Sequence, residues 1–229
     1  MIRVHALLPS LLCLMLAPAA YSADLASLTS AESADGLKAA LTQAAGIAVS
    51  QLGKADGFLG NPEVRIPLPG KLQKVRKTAR KLGLAKQIDG LETAMNRAAE
   101  AAVPQARELL VQSIKQMSVK DALGIIRGPE NAATEYFRKS MSDQLTEKFQ
   151  PVVSKATADV QLAAQYKSVA TRASALGLID SSDANLDSYV TRKTLDGLFL
   201  VMAKEEAAIR KNPMGQASSL LRKVFGSGK

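Results

Sequence analysis

Tryptophan is absent from the 229 residues, and cysteine and histidine occur once each, as Cys13 and His5. Both fall within the first 22 residues, which have the three parts of a secretory signal peptide. Arg3 is the positive n-region, Leu7 to Ala17 an apolar h-region, and Ala20-Tyr21-Ser22 a small-x-small cleavage site. Cleavage after Ser22 is expected, with Ala23 as the alternative. Leu12 precedes Cys13 where lipoprotein processing needs a small residue, so lipidation at Cys13 is not expected. The apolar run is too short to span a bilayer and Pro18 interrupts it. No later stretch approaches the roughly 18 uninterrupted apolar residues of a membrane helix. The expected product is a soluble, exported chain without a transmembrane anchor after processing.

That removal excludes whole classes of chemistry. Without His or Cys, the mature chain has no Ser-His-Asp or Cys-His nucleophile system, no Cys/His zinc or iron–sulfur site and no disulfide. No cofactor is called for. Stability must then come from the core, which about 200 residues can supply. An enzyme here would depend on carboxylates, Lys, Tyr, Ser or Thr. The 47% hydrophobic content is that of a globular protein.

What is present reads as helix after helix, so the expected fold is all-α: a single domain over residues 23–229 of about seven to nine helices, with 227–229 a polar tail. Leu37, Leu41, Ala44, Ala48 and Leu52 recur at helical spacing over 35–52, with Gly53 as a stop. Residues 53–70 are rich in Gly and Pro and are expected to form a long loop, with Val64 to Leu68 extended. Helices are expected at about 71–82, to Gly83, and at 86–103. Pro104 either kinks the latter or begins a new helix running to Met117. Ser118-Val119-Lys120-Asp121 is a capping box with Asp in place of Glu, opening a short helix that Gly128 closes. Pro129 is expected to start a helix to Phe149, and Pro151 another to about Leu176. After a turn at 177–183, a helix over 185–211 carries Leu198-Phe199-Leu200-Val201-Met202, apolar on every side, which marks it as central and buried. A last amphipathic helix carries Leu220, Leu221, Val224 and Phe225.

The net charge of +9 is unevenly placed. Residues 63–86 hold eight cations (Arg65, Lys71, Lys74, Arg76, Lys77, Arg80, Lys81, Lys86) against one acid, Glu63. On a helix Leu72, Val75, Ala79 and Leu82 share one arc, and the cations from Lys71 to Lys81 take the rest of the circumference. Such a face is either simply solvated or binds anions: lipid headgroups, lipopolysaccharide or an acidic envelope protein. Nucleic acid is not expected, since the stripe has no aromatics to stack on bases. The candidate anionic-surface residues are Arg65, Lys71, Lys74, Arg76, Lys77, Arg80 and Lys81.

Three carboxylates are candidates for the interior. Glu92 lies beside the face formed by Ile88, Leu91, Met95, Ala99 and Val103, with Asn96 and Glu100 continuing its edge at i+4 and i+8. Glu205 projects between Leu198 and Val201. A buried carboxylate finds a partner or titrates upward. Arg65, Arg97, Arg127 and Arg138 are available as partners. The chemical alternatives are a carboxylate-based hydrolase acting on an envelope polymer, or an oxygen-only site for a hard cation. Tyr136, Phe137, Phe149, Tyr166 and Phe199 read as core, with a lipid or quinone pocket among them as the alternative.

Several strings together carry a resemblance. Gly57-Phe58-Leu59-Gly60-Asn61-Pro62, Arg65-Ile66-Pro67-Leu68-Pro69, Met95-Asn96-Arg97-Ala98-Ala99-Glu100, Ala133-Thr134-Glu135-Tyr136-Phe137, Gly197-Leu198-Phe199, Glu205-Glu206-Ala207-Ala208-Ile209-Arg210 and Leu220-Leu221-Arg222-Lys223-Val224-Phe225-Gly226 occur in this order. They resemble an exported family of Gram-negative bacteria catalogued as domain of unknown function 4197, over about residues 30–226. The resemblance implies one all-helical periplasmic domain and transfers no activity, ligand or catalytic residue. The expected function is therefore binding or structural, with anionic envelope lipid or an envelope protein contacted through the basic loop-helix.

Overall fold

The computed structural model describes residues 29–69, 85–158 and 185–212. The leader, the helix expected at 71–82, the turn at 177–183, Tyr166 and the last amphipathic helix lie outside the described residues.

Among the described residues, helices are the only regular elements: α1 (Ser30–Leu52), α2 (Ala85–Ala102), a 3-10 turn (Val103–Gln105), α3 (Ala106–Gln116), α4 (Val119–Arg127), α5 (Ala132–Ala158) and α6 (Leu186–Lys211). Local chemistry sets most of the boundaries. Thr29 Oγ1 accepts the Glu32 N–H while Glu32 accepts the Thr29 N–H at 2.8 Å, a full capping box that starts α1 at Ser30. The apolar spacing alone places that start near residue 35. Gly53 closes the helix, its N–H bonded to the Val49 carbonyl. Ser118 caps α4 by accepting the Asp121 N–H at 3.1 Å, and Gly128 follows its last residue.

Of the two proline boundaries, Pro104 falls within the expected alternatives and Pro151 does not. Pro104 sits in the 3-10 turn, so the chain tightens for one turn and restarts as α3. Pro151 does not start a helix; α5 runs straight through it. Phe137, Met141, Leu145, Phe149, Val153 and Thr157 are all buried, and their fourfold spacing continues across the proline. Pro151 itself is exposed. The backbone bond it cannot make is thus lost on the solvent side, while the buried stripe holds the helix together.

Helix α6 packs against α5, α1 and α2, and α1 also carries α3 and α4. One continuous core runs from Leu37 through Met95, Phe137 and Phe149 to Phe199. The central position of α6 is as expected, but not its uniform burial. Leu198, Phe199, Val201 and Met202 are buried, while Leu200 is 39% exposed and faces out. No helix among the described residues is long and apolar enough to cross a membrane.

Candidate functional site

Residues 53–69 contain no helix or strand, yet they are densely anchored. Phe58, Val64, Ile66 and Leu68 enter the core. The backbone between them needs partners that a strand would have found in a neighbouring strand. Helix α2 supplies them from Asn96 and Glu100, which with Glu92 form one row of side chains at i, i+4 and i+8, all three buried.

Asn96 sits at the centre. Its side-chain oxygen accepts the Ile66 N–H at 2.8 Å, and its amide donates to the Ile66 carbonyl at 2.9 Å and to its own helix at Glu92 O at 2.8 Å. One turn later Glu100 Oε1 accepts the N–H groups of Phe58 and Leu59 at 3.0 and 3.1 Å, and its Oε2 accepts from Arg97 at 2.6 Å. One turn earlier Glu92 accepts from Arg65 Nε at 3.0 Å. Arg97 reaches onward to Asp56 at 2.8 Å. The Glu100 and Asp56 carboxylates, in that order, raise the Arg97 pKa above its ordinary value and keep the guanidinium charged. Asp56 adopts a φ of 64°, the left-handed region that Asp tolerates better than most side chains. The following turn requires glycine, because a Cβ on Gly57 would lie 2.5 Å from the Leu52 carbonyl oxygen.

Helix α6 fastens the other side. Tyr189 donates its hydroxyl to the Pro67 carbonyl at 3.0 Å, and Lys204 pairs with Glu63. A Cβ on Gly197 would come within 2.7 Å of Phe58, so the absence of a side chain there lets the loop close on the helix. The result is an irregular segment fixed on both flanks.

The interior carboxylate of α6 is Glu206, not Glu205. Glu205 is half-buried and meets only a long contact from Gln51 at 3.4 Å. Glu206 is 5% exposed and accepts the Ala133 N–H, the Thr134 N–H and the Thr134 hydroxyl, each at 3.0 Å, so it caps the start of α5. Arg210, one turn on, bonds Glu206 at 3.0 Å and donates to the Ile125 carbonyl at 2.8 Å, capping the end of α4. A carboxylate at a helix N-terminus and a guanidinium at a helix C-terminus both oppose the local dipole, so the pair holds three helices at one junction. The sequence carried a signal for this: Leu195, Leu198, Met202, Glu206 and Ile209 form one buried row at three- and four-residue spacing.

Glu92 and Glu100 are two helical turns apart, about 12 Å along the axis. Each is engaged with the loop, and Glu205 lies on another element. The three candidate carboxylates therefore do not converge on one point. Among the described residues no cluster of three or more His, Cys, Asp or Glu could hold a metal ion. A shallow surface groove of about 470 Å³ lies along the outer face of α1, lined by Thr42, Gly46, Ser50, Gln51 and Lys54 with Arg107 from α3. Phe137, Phe149 and Phe199 are fully buried. Arg138 stacks 4.8 Å above the Phe199 ring, and of the four arginines considered as carboxylate partners Arg65 and Arg97 take Glu92 and Glu100. Of the seven candidate surface cations, Arg65 is described, with its side chain 44% exposed. Lys71, Lys74, Arg76, Lys77, Arg80 and Lys81 lie outside the described residues.

The family model described as "Protein of unknown function (DUF4197)" matches residues 27–226. The chain belongs to that family, as the motif strings implied. No curated protein and no solved structure matches it.

Proposed function

Since family membership brings no activity to transfer, we propose a function from charge and geometry: the protein is a periplasmic binding protein that contacts anionic envelope lipid through the basic segment beginning at Arg65. The observation that carries this reading is the confinement of charge, with +7 of the total +9 lying between residues 63 and 86. Clustered Lys and Arg near an anionic bilayer contribute about 1 kcal/mol each, and the attraction fades within a Debye length. Two structural facts support it. Glu63, the one acid of the segment, is paired with Lys204, which offsets the charge that would oppose an anionic surface. The chain leading into the basic stretch is also held firmly, by Asn96 at Ile66 and Tyr189 at Pro67.

The experiment is neutralisation of Lys74, Arg76, Lys77 and Arg80 together by glutamine, read as binding to phosphatidylglycerol-containing vesicles. Loss of most of the binding, with thermal unfolding unchanged, is the expected outcome. Unchanged binding by a folded variant refutes the reading. A carboxylate-based hydrolase has less support, because Glu92, Glu100 and Glu206 are all engaged in fixing backbone or arginine.

A further inference from the structure

We propose that Arg65 is the residue of this surface that reads phosphate, its guanidinium oriented by Glu92 and its ligand the headgroup phosphate of an anionic phospholipid. The inference rests on the lipid-binding reading and gives one residue of that surface a distinct role.

A guanidinium is a planar fork with five N–H donors. Arg65 uses Nε on Glu92 Oε1 at 3.0 Å. Glu92 is only 6% exposed at its side chain whereas Arg65 is 44% exposed, so the fork is gripped from the protein side and open on the other. The Nη1 and Nη2 groups of Arg65 make no hydrogen bond within the described residues. The backbone below is fixed as well. Arg65 N–H bonds the Asn61 carbonyl at 2.8 Å, and Asn96 holds both polar groups of Ile66. Ordering an arginine is normally part of the cost of using it, and here the fold has already met much of that cost.

The pairing also decides what Arg65 contributes. Arg65 pairs with Glu92, so its distinct contribution is at short range. Its polarised N–H bonds remain available at contact range, where the two non-bridging oxygens of a phosphate match two donors of the fork. A lipid suits a donor held in place, because headgroups diffuse laterally and come to it. The lysines that follow in sequence act as point charges, for which exact placement matters less. Arg65 is thus the contact that distinguishes guanidinium from ammonium, and Glu92 is a positioning residue.

The test is vesicle co-sedimentation of the purified protein, using phosphatidylglycerol mixed into phosphatidylcholine, with Arg65→Lys, Arg65→Ala and, as a charge-preserving control in the basic segment, Arg76→Lys. Arg65→Lys is expected to weaken binding about tenfold, nearly as much as Arg65→Ala, as befits loss of one charge-assisted contact. Arg76→Lys is expected to stay within about twofold. Millimolar glycerol phosphate is expected not to displace the protein. If Arg65→Lys binds like the wild type while neutralising the basic segment abolishes binding, the role of Arg65 is overturned and the lipid-binding reading stands. Displacement by free glycerol phosphate would make this a small-anion site and overturn the lipid assignment. Failure of the wild type to bind any vesicle would overturn both.

Discussion

Asn96 pairs with Ile66 as one strand pairs with another, accepting its N–H at 2.8 Å and donating to its carbonyl at 2.9 Å. A single buried carboxamide thus substitutes for a sheet partner in a protein whose described residues contain no strand. The side chain is fully buried, so water cannot take over if it is lost.

Asn96→Ala should therefore be costly. It leaves two buried backbone groups unpaired, at about 1–3 kcal/mol for each unsatisfied group. The expected loss is about 2–4 kcal/mol by urea unfolding, together with faster proteolysis within residues 53–69. A loss under about 0.5 kcal/mol, the range of an ordinary surface substitution, would contradict the clamp.

Glu206 and its neighbour Glu205 should separate sharply. Glu206→Ala strips the cap from α5 and breaks the ion pair with Arg210, whose side chain is 12% exposed. Breaking such a buried pair costs about 3–5 kcal/mol. Glu205→Ala removes one long, partly exposed contact and should fall within about 0.5 kcal/mol. A double-mutant cycle with Arg210→Ala should show strong coupling to Glu206 and none to Glu205.

Gly197→Ala tests the closeness of α6 to the loop. The added methyl would lie 2.7 Å from Phe58 Cε1, and the ring is fully buried. Either the ring or the helix must shift, at about 1–3 kcal/mol. Equal or higher stability of the variant in thermal unfolding would show that the interface has slack.

Alkaline pH acts on Tyr136. Its burial, and secondarily the Asp121 carboxylate, raise the phenol pKa above its ordinary 10.0. A raised folded-state pKa means the neutral phenol is favoured by folding. This contribution is complete below about pH 10 and is lost as pH rises through the folded-state value. Absorbance titration of wild type against Tyr136→Phe should place this phenol above the ordinary range. Asp121→Asn should lower it only part of the way, since burial is the larger cause.

Much of the helical framework could be read from sequence because both caps and spacing are local properties. Ser118 with Asp121, and Gly53 after the spaced apolar row of α1, say where a helix runs. Apolar spacing does not mark the start of α1, because residues 29–34 offer little of it; the Thr29 and Glu32 pair carries the signal instead. Pro151 read as a boundary because a missing N–H is visible in sequence, whereas the solvent exposure that makes it tolerable is not. For the site, i+4 spacing put Glu92, Asn96 and Glu100 on one edge, but their partners lie in an irregular segment that has no periodicity to read. Glu205 and Glu206 differ by one residue, which on a helix is 100° of rotation and decides which of them faces the core.

The most direct test of the central claim is co-sedimentation of the purified protein with anionic and with uncharged vesicles, at low and at high salt. Electrostatic contact through the 63–86 segment predicts binding to the anionic vesicles alone, lost as salt shortens the Debye length. Equal binding to both vesicle types, or none to either at low salt, would contradict it.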